Sequence, residues 1–348
     1  MDIQLLKELC KIPGAPGFEQ RVREYLITEL EGIVDQLLVD PMGNLIAIRE
    51  GRDQRKVMVA AHMDEIGFIA THIGDQGMVK FSTLGGFDPK TLTAQRVIIH
   101  GKEDVIGVMG CKPIHVMDAA DRAKAVKIQD FFIDTGMSKE SLEKIISVGD
   151  PITRERELIE MGECVNSKSL DNRVSVYILL ETLKKLKGKT LPHSLYAVFT
   201  VQEEVGLRGA IAAASGVDPF FGINLDVTLA YDLPGSAPHE QVTQLGKGTA
   251  IKILDGRTIC DYRMVQFMKD TAEARGIKYQ LEVLPAGGTD TAGIQRHSIG
   301  GAVVGGISIP TRYLHQVIEM ANKKDIDETI ELLYHCLLNL GNYDWSFK

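Results

Sequence analysis

Cysteine is scarce and scattered in this sequence: Cys10, Cys111, Cys164, Cys260 and Cys336 are five in number, and no two form a CxxC pair. That excludes a disulfide framework and a cysteine zinc site, and it implies a reduced, cytoplasmic setting. Long apolar runs are missing as well; none approaches the roughly 20 residues a membrane span needs. The opening MDIQLLKELCKIPG has an acid at position 2, lacks the basic start and apolar core of a secretion signal, and reads as an amphipathic helix. Positive charge is short, with 39 Lys+Arg against 47 Asp+Glu for a net charge of −8, and no basic patch stands out. Neither a nucleic acid nor a membrane is therefore expected as a partner. No GxxxxGK[ST] phosphate loop occurs. The nearest approach to GxSxG, Gly306 to Pro310, ends in proline, which removes a serine-hydrolase elbow. Repeats and low-complexity segments are absent.

What is present is the composition of an ordinary soluble globular protein, 44% hydrophobic and 25% charged. Its 348 residues exceed the usual single-domain size, so one large core plus a second module is expected. A second helix is predicted from about Glu19 to Glu31, followed by a Pro41–Asn44 turn. From about Phe68 to Lys168 the texture changes to short alternating segments cut by glycine turns, such as MVKFSTLGG and RVIIHGKE, with one helix near Ser138 to Ile146. That is the pattern of a small β-rich domain, residues 68–167, inserted into a catalytic domain made of 1–67 and 168–348. His115 in this stretch has no chemical company and reads as structural. The α/β pattern resumes with helices over Asn172–Leu186, Arg208–Ser215 and Cys260–Arg275, the last closed by Gly276. PAGGTDTAG reads as a loop. A closing helix carries Ile326, Ile330, Leu333, Leu337 and Leu340, so His335 within it reads as packing.

Three buried-type strands run into polar residues that the strands themselves do not need. SLYAVFTVQEEVG ends in Glu203 and Glu204, RKVMVAAHMDEIG in His62 and Asp64, and FGINLDV in Asp226. An acid at the end of a buried strand is costly unless a cation, a donor or water meets it. Gly206 lets the chain turn sharply after the glutamates. In open α/β sheets the carboxyl ends of the strands are where ligands bind. Asp171, at the start of the Asn172–Leu186 helix, and His315, delivered with Thr311, Arg312 and Tyr313 after the strand IGGAVVGGISIP, join the same rim.

If His62, Asp171, Glu204, Asp226 and His315 are all ligands, they are too many for one catalytic zinc, which keeps three protein ligands and an open position. Two metals resolve the count. Asp171 would bridge, with His62 and Asp226 on one metal and Glu204 and His315 on the other. Paired divalent ions about 3.5 to 4 Å apart make a shared water nucleophilic and hold an oxyanion. Glu203 is left over as the general base and proton carrier to a leaving amine. Asp64, beside His62, could fix its tautomer. A carboxylate that must face two metals from a helix start also predicts a non-proline cis bond after Asp171.

These residues resemble a family, the tetrahedral dodecameric (TET-type) co-catalytic metalloaminopeptidases, which include glutamyl, leucyl and deblocking aminopeptidases. The resemblance covers essentially the whole chain and rests on AHMDEIGF, SLDNR, QEEVGLRGA, NLDV, GGTDTAG and PTRYLH. It implies a mixed-sheet α/β catalytic domain with helices on both faces and a barrel-like β-rich insertion that builds the oligomer. It implies the same ligand assignment, with two divalent ions per subunit, zinc or cobalt and with manganese as a further candidate. It also implies peptide substrates and a dodecamer assembled from dimers. The insertion falls between the first and second ligands, whereas related deacylases and carboxypeptidases carry theirs between the fourth and last. One departure is Gln316-Val317, where the family has Ser-Pro after the last histidine, and this bears on the neighbouring pocket. A glycoside hydrolase using two of the carboxylates would leave His62 and His315 unexplained. A binding or shell protein with structural metals would show closed coordination.

Overall fold

A computed structural model describes residues 1–347. Its centre is an 11-stranded mixed sheet. Four parallel strands lie side by side at its middle, in the order Leu191–Thr200, Gly51–His62, Phe221–Leu229, Val303–Arg312. Antiparallel strands flank them: Leu45–Arg49 and Gln36–Val39 on one side, Glu319–Asn322, Cys164–Ser167 and Ile159–Met161 on the other. Thr249–Leu254 pairs antiparallel with Val303–Arg312 and parallel with Tyr279–Val283.

The sequence texture explains these positions. Phe221–Leu229 is buried at every position but the last, as a strand covered on both faces must be. One face packs against the Leu170–Leu186 helix, which buries nearly its whole length, and against the closing Lys323–Asn339 helix. A smaller cluster around Met58, Val198, Ile294 and Val304 covers the other face, together with the Arg208–Val217 and Asp290–His297 helices. The mixed α/β class with helices on both faces is therefore as expected.

A second module is a closed six-stranded antiparallel barrel in the order Gly67–Ile73, Val79–Leu84, Phe132–Asp134, Asp104–Gly110, Arg96–His100, Pro151–Arg154. Val79–Leu84 alternates buried and exposed residues over its first four positions, and the inward ones join Phe68, Val97, Ile99, Met109, Ile133 and Ile152 in a separate core. The barrel strands end at Arg154, earlier than the change of texture suggested. Ile159–Met161 and Cys164–Ser167 already belong to the large sheet.

Local differences have local reasons. The helix expected over Ser138–Ile146 is only Lys139–Leu142, capped by the Ser138 hydroxyl accepting from the Ser141 N–H. The Cys260–Arg275 helix begins at Tyr262, because Asp261 caps it by accepting from the Arg263 N–H, and it ends at Gly276 with φ 66°. The stretch read as the loop PAGGTDTAG turns helical from Asp290. His115 is exposed in a short 3-10 turn, and His335 stacks edge-on with Tyr334 in the closing helix.

Candidate metal centre

The rim residues named from sequence converge. His62 ends its strand, and its register partner Thr200 ends the next, three residues before Glu203. Asp226 sits inside Phe221–Leu229 rather than at its end. Asp171 precedes the regular part of its helix, and the Asp171–Asn172 peptide is cis. Left-handed backbone at Gln202 (φ 55°), Tyr313 (φ 63°) and His315 (φ 56°) shapes the two turns that bring Glu203, Glu204 and His315 in. Such conformations in non-glycine residues cluster at functional sites.

Asp171 faces two ways. Its Oδ1 lies 3.2 Å from His62 Nε2, which is 3.7 Å from Asp226 Oδ1. Its Oδ2 lies 3.4 Å from His315 Nε2, which is 3.6 Å from Glu204 Oε2. Three of these spacings exceed a good N–H···O bond, and all four lie near the edge of about 3.4 Å between two ligands on a tetrahedral ion with bonds near 2.1 Å. Two triads of ligand atoms result, His62–Asp171–Asp226 and Asp171–Glu204–His315, each gathered within 4.8 Å. Asp171 Oδ1 and Glu204 Oε1 are buried with no hydrogen-bond partner, a condition that a cation relieves. The donor set, imidazoles and carboxylates, suits zinc and its neighbours.

Charge in the cluster points the same way. Burial pushes Glu203 well above the ordinary carboxyl range, reinforced by Asp226, Asp290 and Glu204 and opposed by His62. Burial, with Asp171 adding to it, pushes Glu204 up to about 8. For His62 burial alone would lower the pKa, but Asp171, Asp226 and Asp64 raise it well above its usual value. Buried carboxylates that repel one another and gather around imidazoles form a site short of positive charge.

Glu203 approaches without completing either triad, its Oε2 3.9 Å from His62 Nε2. Asp64 does more than expected. Its backbone carbonyl lies 3.1 Å from His62 Nδ1, while its carboxylate accepts the N–H groups of both Glu203 and Glu204. A cavity of about 130 Å³ opens beside the cluster, lined by His62, Glu203 and Asp226 and also by Lys252, Asp255 and Glu282. Lys252 donates to Glu282 at 2.5 Å and lies 3.5 Å from Asp255. Leu314 and His315 reach this cavity; Gln316 and Val317, expected to affect a pocket, do not line it.

Sequence reasoning missed a supporting set. Glu319 Oε2 accepts the Asp171 N–H at 2.8 Å. Asp290, fully buried, accepts from the Thr200 hydroxyl at 2.5 Å and raises Glu203 through its charge. Glu65 sits among Lys168, Arg154 and Arg173. The signal available for Glu65 and Asp290 was their position inside AHMDEIGF and GGTDTAG; Glu319 and Arg154 had none.

The site and fold recur in known proteins. The M42 glutamyl aminopeptidase family matches residues 43–332. A lysyl aminopeptidase of Pyrococcus furiosus is 31% identical over 99% of this chain and 99% of its own. The structure of an aminopeptidase from the archaeon Desulfurococcus kamchatkensis superposes with a TM-score of 0.93 at 37% identity, covering 97% of this chain and 94% of that one. Similar again is the TET1 peptidase of Pyrococcus horikoshii, which can assemble into a tetrahedron or a large octahedral shell (TM-score 0.88, 31% identity, 97% and 99% covered). With near-complete coverage in both directions, the peptide-hydrolase assignment extends to the whole chain, which belongs to the M42 glutamyl aminopeptidase family.

Proposed function

We propose that this aminopeptidase works with two divalent ions, His62, Asp171 and Asp226 holding one and Asp171, Glu204 and His315 the other. The observation that carries the reading is the two-way carboxylate of Asp171, with one oxygen toward each histidine. Zinc or cobalt suits these donors, with manganese a further candidate. When bound, such a pair supplies a nucleophilic water near neutral pH and a Lewis acid for the scissile carbonyl. Glu203, left free of both triads, takes the proton from the attacking water and passes it to the leaving amine. Asp64 fixes where both glutamates stand through their backbone N–H groups. A glycosidase needs two carboxyls but no histidines, so it leaves the pairing of Asp171 with His62 and His315 without a purpose.

The domain made of residues 1–67 and 168–348 carries this chemistry. Residues 68–167, which hold the barrel, serve in our reading as the assembly module of a dodecamer built from dimers. Two observations support this: the module contributes no side chain to either triad, and the TET1 relative can assemble into a tetrahedron or a large octahedral shell. A cytoplasmic location fits five cysteines that stand free and the absence, among the described residues, of a helix long and apolar enough to cross a membrane.

A panel of aminoacyl anilides tests the reading, each assayed with a free and with an acetylated amino terminus, and with chelator before and after zinc or cobalt is restored. Cleavage of the free substrates alone, lost in chelator and regained with metal, is expected. Chelator-resistant cleavage, or equal cleavage of acetylated substrates, would contradict it.

A further inference from the structure

The barrel donates no side chain to either triad, yet two of its residues hold the loop that carries His315. His315 Nδ1 faces the Gly86 carbonyl at 3.2 Å. An N–H donated there leaves the lone pair on Nε2, the nitrogen that points at Asp171 and Glu204. From the last barrel strand, Arg154 Nη1 donates to the Gln316 carbonyl at 2.5 Å, one residue beyond His315. The same guanidinium is 3.6 Å from Glu319 Oε1 and donates through Nη2 to Glu65 Oε2 at 3.4 Å. Glu319 in turn accepts the Asp171 N–H. One cation, 2% exposed, thus touches the loop of one proposed ligand and the carboxylate that holds the backbone of another.

His315 needs that help more than its counterpart does. Its side chain is 46% exposed, against 2% for His62. Its backbone and that of Tyr313 are left-handed, a conformation that surrounding contacts must maintain in non-glycine residues. His62 and Asp226 form their hydrogen bonds with Asp64, Asn224 and Val227 of the α/β layer and do not depend on the barrel.

We propose that the barrel completes the second metal position: Gly86 and Arg154 are positioning residues that hold His315 against Asp171 and Glu204. This rests on the reading of His315 as a ligand. Loss of either grip weakens the His315 ion far more than the other, because the barrel holds His315 and its loop directly, whereas it reaches Asp171, common to both triads, only through Glu319.

The test counts zinc ions per chain, and their affinities, by equilibrium dialysis of the full-length protein against a competing chelator. His315→Ala, Arg154→Met and Gly86→Ala are compared with the unaltered chain. A Cβ at Gly86 would lie 3.2 Å from His315 Nδ1, close enough to push the ring by a few tenths of an ångström without touching the Arg154 network. All three variants are expected to keep one tight ion and to bind the second at least tenfold more weakly. Arg154→Lys, which retains one donor for the Gln316 carbonyl, should recover part of that loss. Should Arg154→Met fail to fold, since it strips Glu65 and Glu319 of a buried cation, Gly86→Ala carries the test alone. Two ions of unchanged affinity in His315→Ala would reject the ligand reading itself. With His315→Ala weakened as expected, two tight ions in Arg154→Met and Gly86→Ala, or an equal loss of both ions, would overturn the positioning role.

Discussion

Asp64 accepts the backbone N–H of Glu203 at 3.1 Å through Oδ1, and its other oxygen accepts the neighbouring N–H of Glu204 at 3.0 Å. One fully buried carboxylate therefore sets the height of both glutamates, from two residues beyond the strand that ends in His62. Asp64→Asn keeps one acceptor oxygen and turns the other into a donor facing an N–H. The expected result is a loss of about 1 to 3 kcal/mol in chemical denaturation, with kcat falling more than KM rises. Unchanged stability and kcat would show that the two N–H groups find other partners.

Glu203→Gln removes a base and no proposed ligand. Turnover should fall by about 10² to 10⁴-fold while the metal content of the purified protein stays the same. A protein that has lost metal would assign Glu203 to the triads instead.

Asp171→Asn replaces two equivalent oxygens by one oxygen and an amide nitrogen. Since each oxygen faces a different histidine, both sites should empty. Metal analysis that still finds two ions per chain would remove the bridging role.

Much of this was legible because strand ends advertise themselves. A run that is apolar on both faces and stops at His62 or Glu203 marks the sheet rim, and the helix periodicity after Asn172 places Asp171 there too. What was hidden depends on contacts distant in the chain. Glu319 lies in a short flanking strand and meets Asp171 only because Glu319–Asn322 pairs beside Val303–Arg312. Arg154 is an unremarkable cation at the end of a four-residue strand until barrel closure turns it toward Gln316. Asp290 was concealed by the glycines around it, which suggest a loop where Gly293 in fact lets the helix pack against Ala210. Ile159–Met161 and Cys164–Ser167 belong to the large sheet, but they are too short to carry a periodicity of their own that would mark them off from the barrel strands.

Arg312 donates twice to Asp232, at 2.7 and 2.8 Å, just before the turn that delivers His315. Burial alone would raise the Asp232 pKa; the Arg312 pair and the Leu245 N–H more than offset it and hold the carboxyl below its usual 3.8. A depressed folded pKa means that the stabilisation is fully present above pH 3.8 and is lost as pH falls through the folded value. Asp232→Asn should therefore cost about 1 kcal/mol near pH 6, and the gap to the unaltered chain should close below pH 3.8. A gap independent of pH would show that the pair's charge does not matter.

The assembly role of residues 68–167 predicts a closed oligomer, which light scattering at micromolar concentration should detect as a species of many subunits. Weakening one type of contact should give smaller closed units, most simply dimers. A monomer at micromolar concentration would remove the barrel from assembly.

The central claim is that two ions per chain sustain hydrolysis of an amino-terminal peptide bond. Its most direct measurement is a titration of metal-stripped protein with zinc or cobalt, following release of the first residue from an unblocked peptide against ions bound. Full activity is expected only as the second equivalent per chain is taken up; activity that plateaus at one equivalent, or persists with none, would contradict the account.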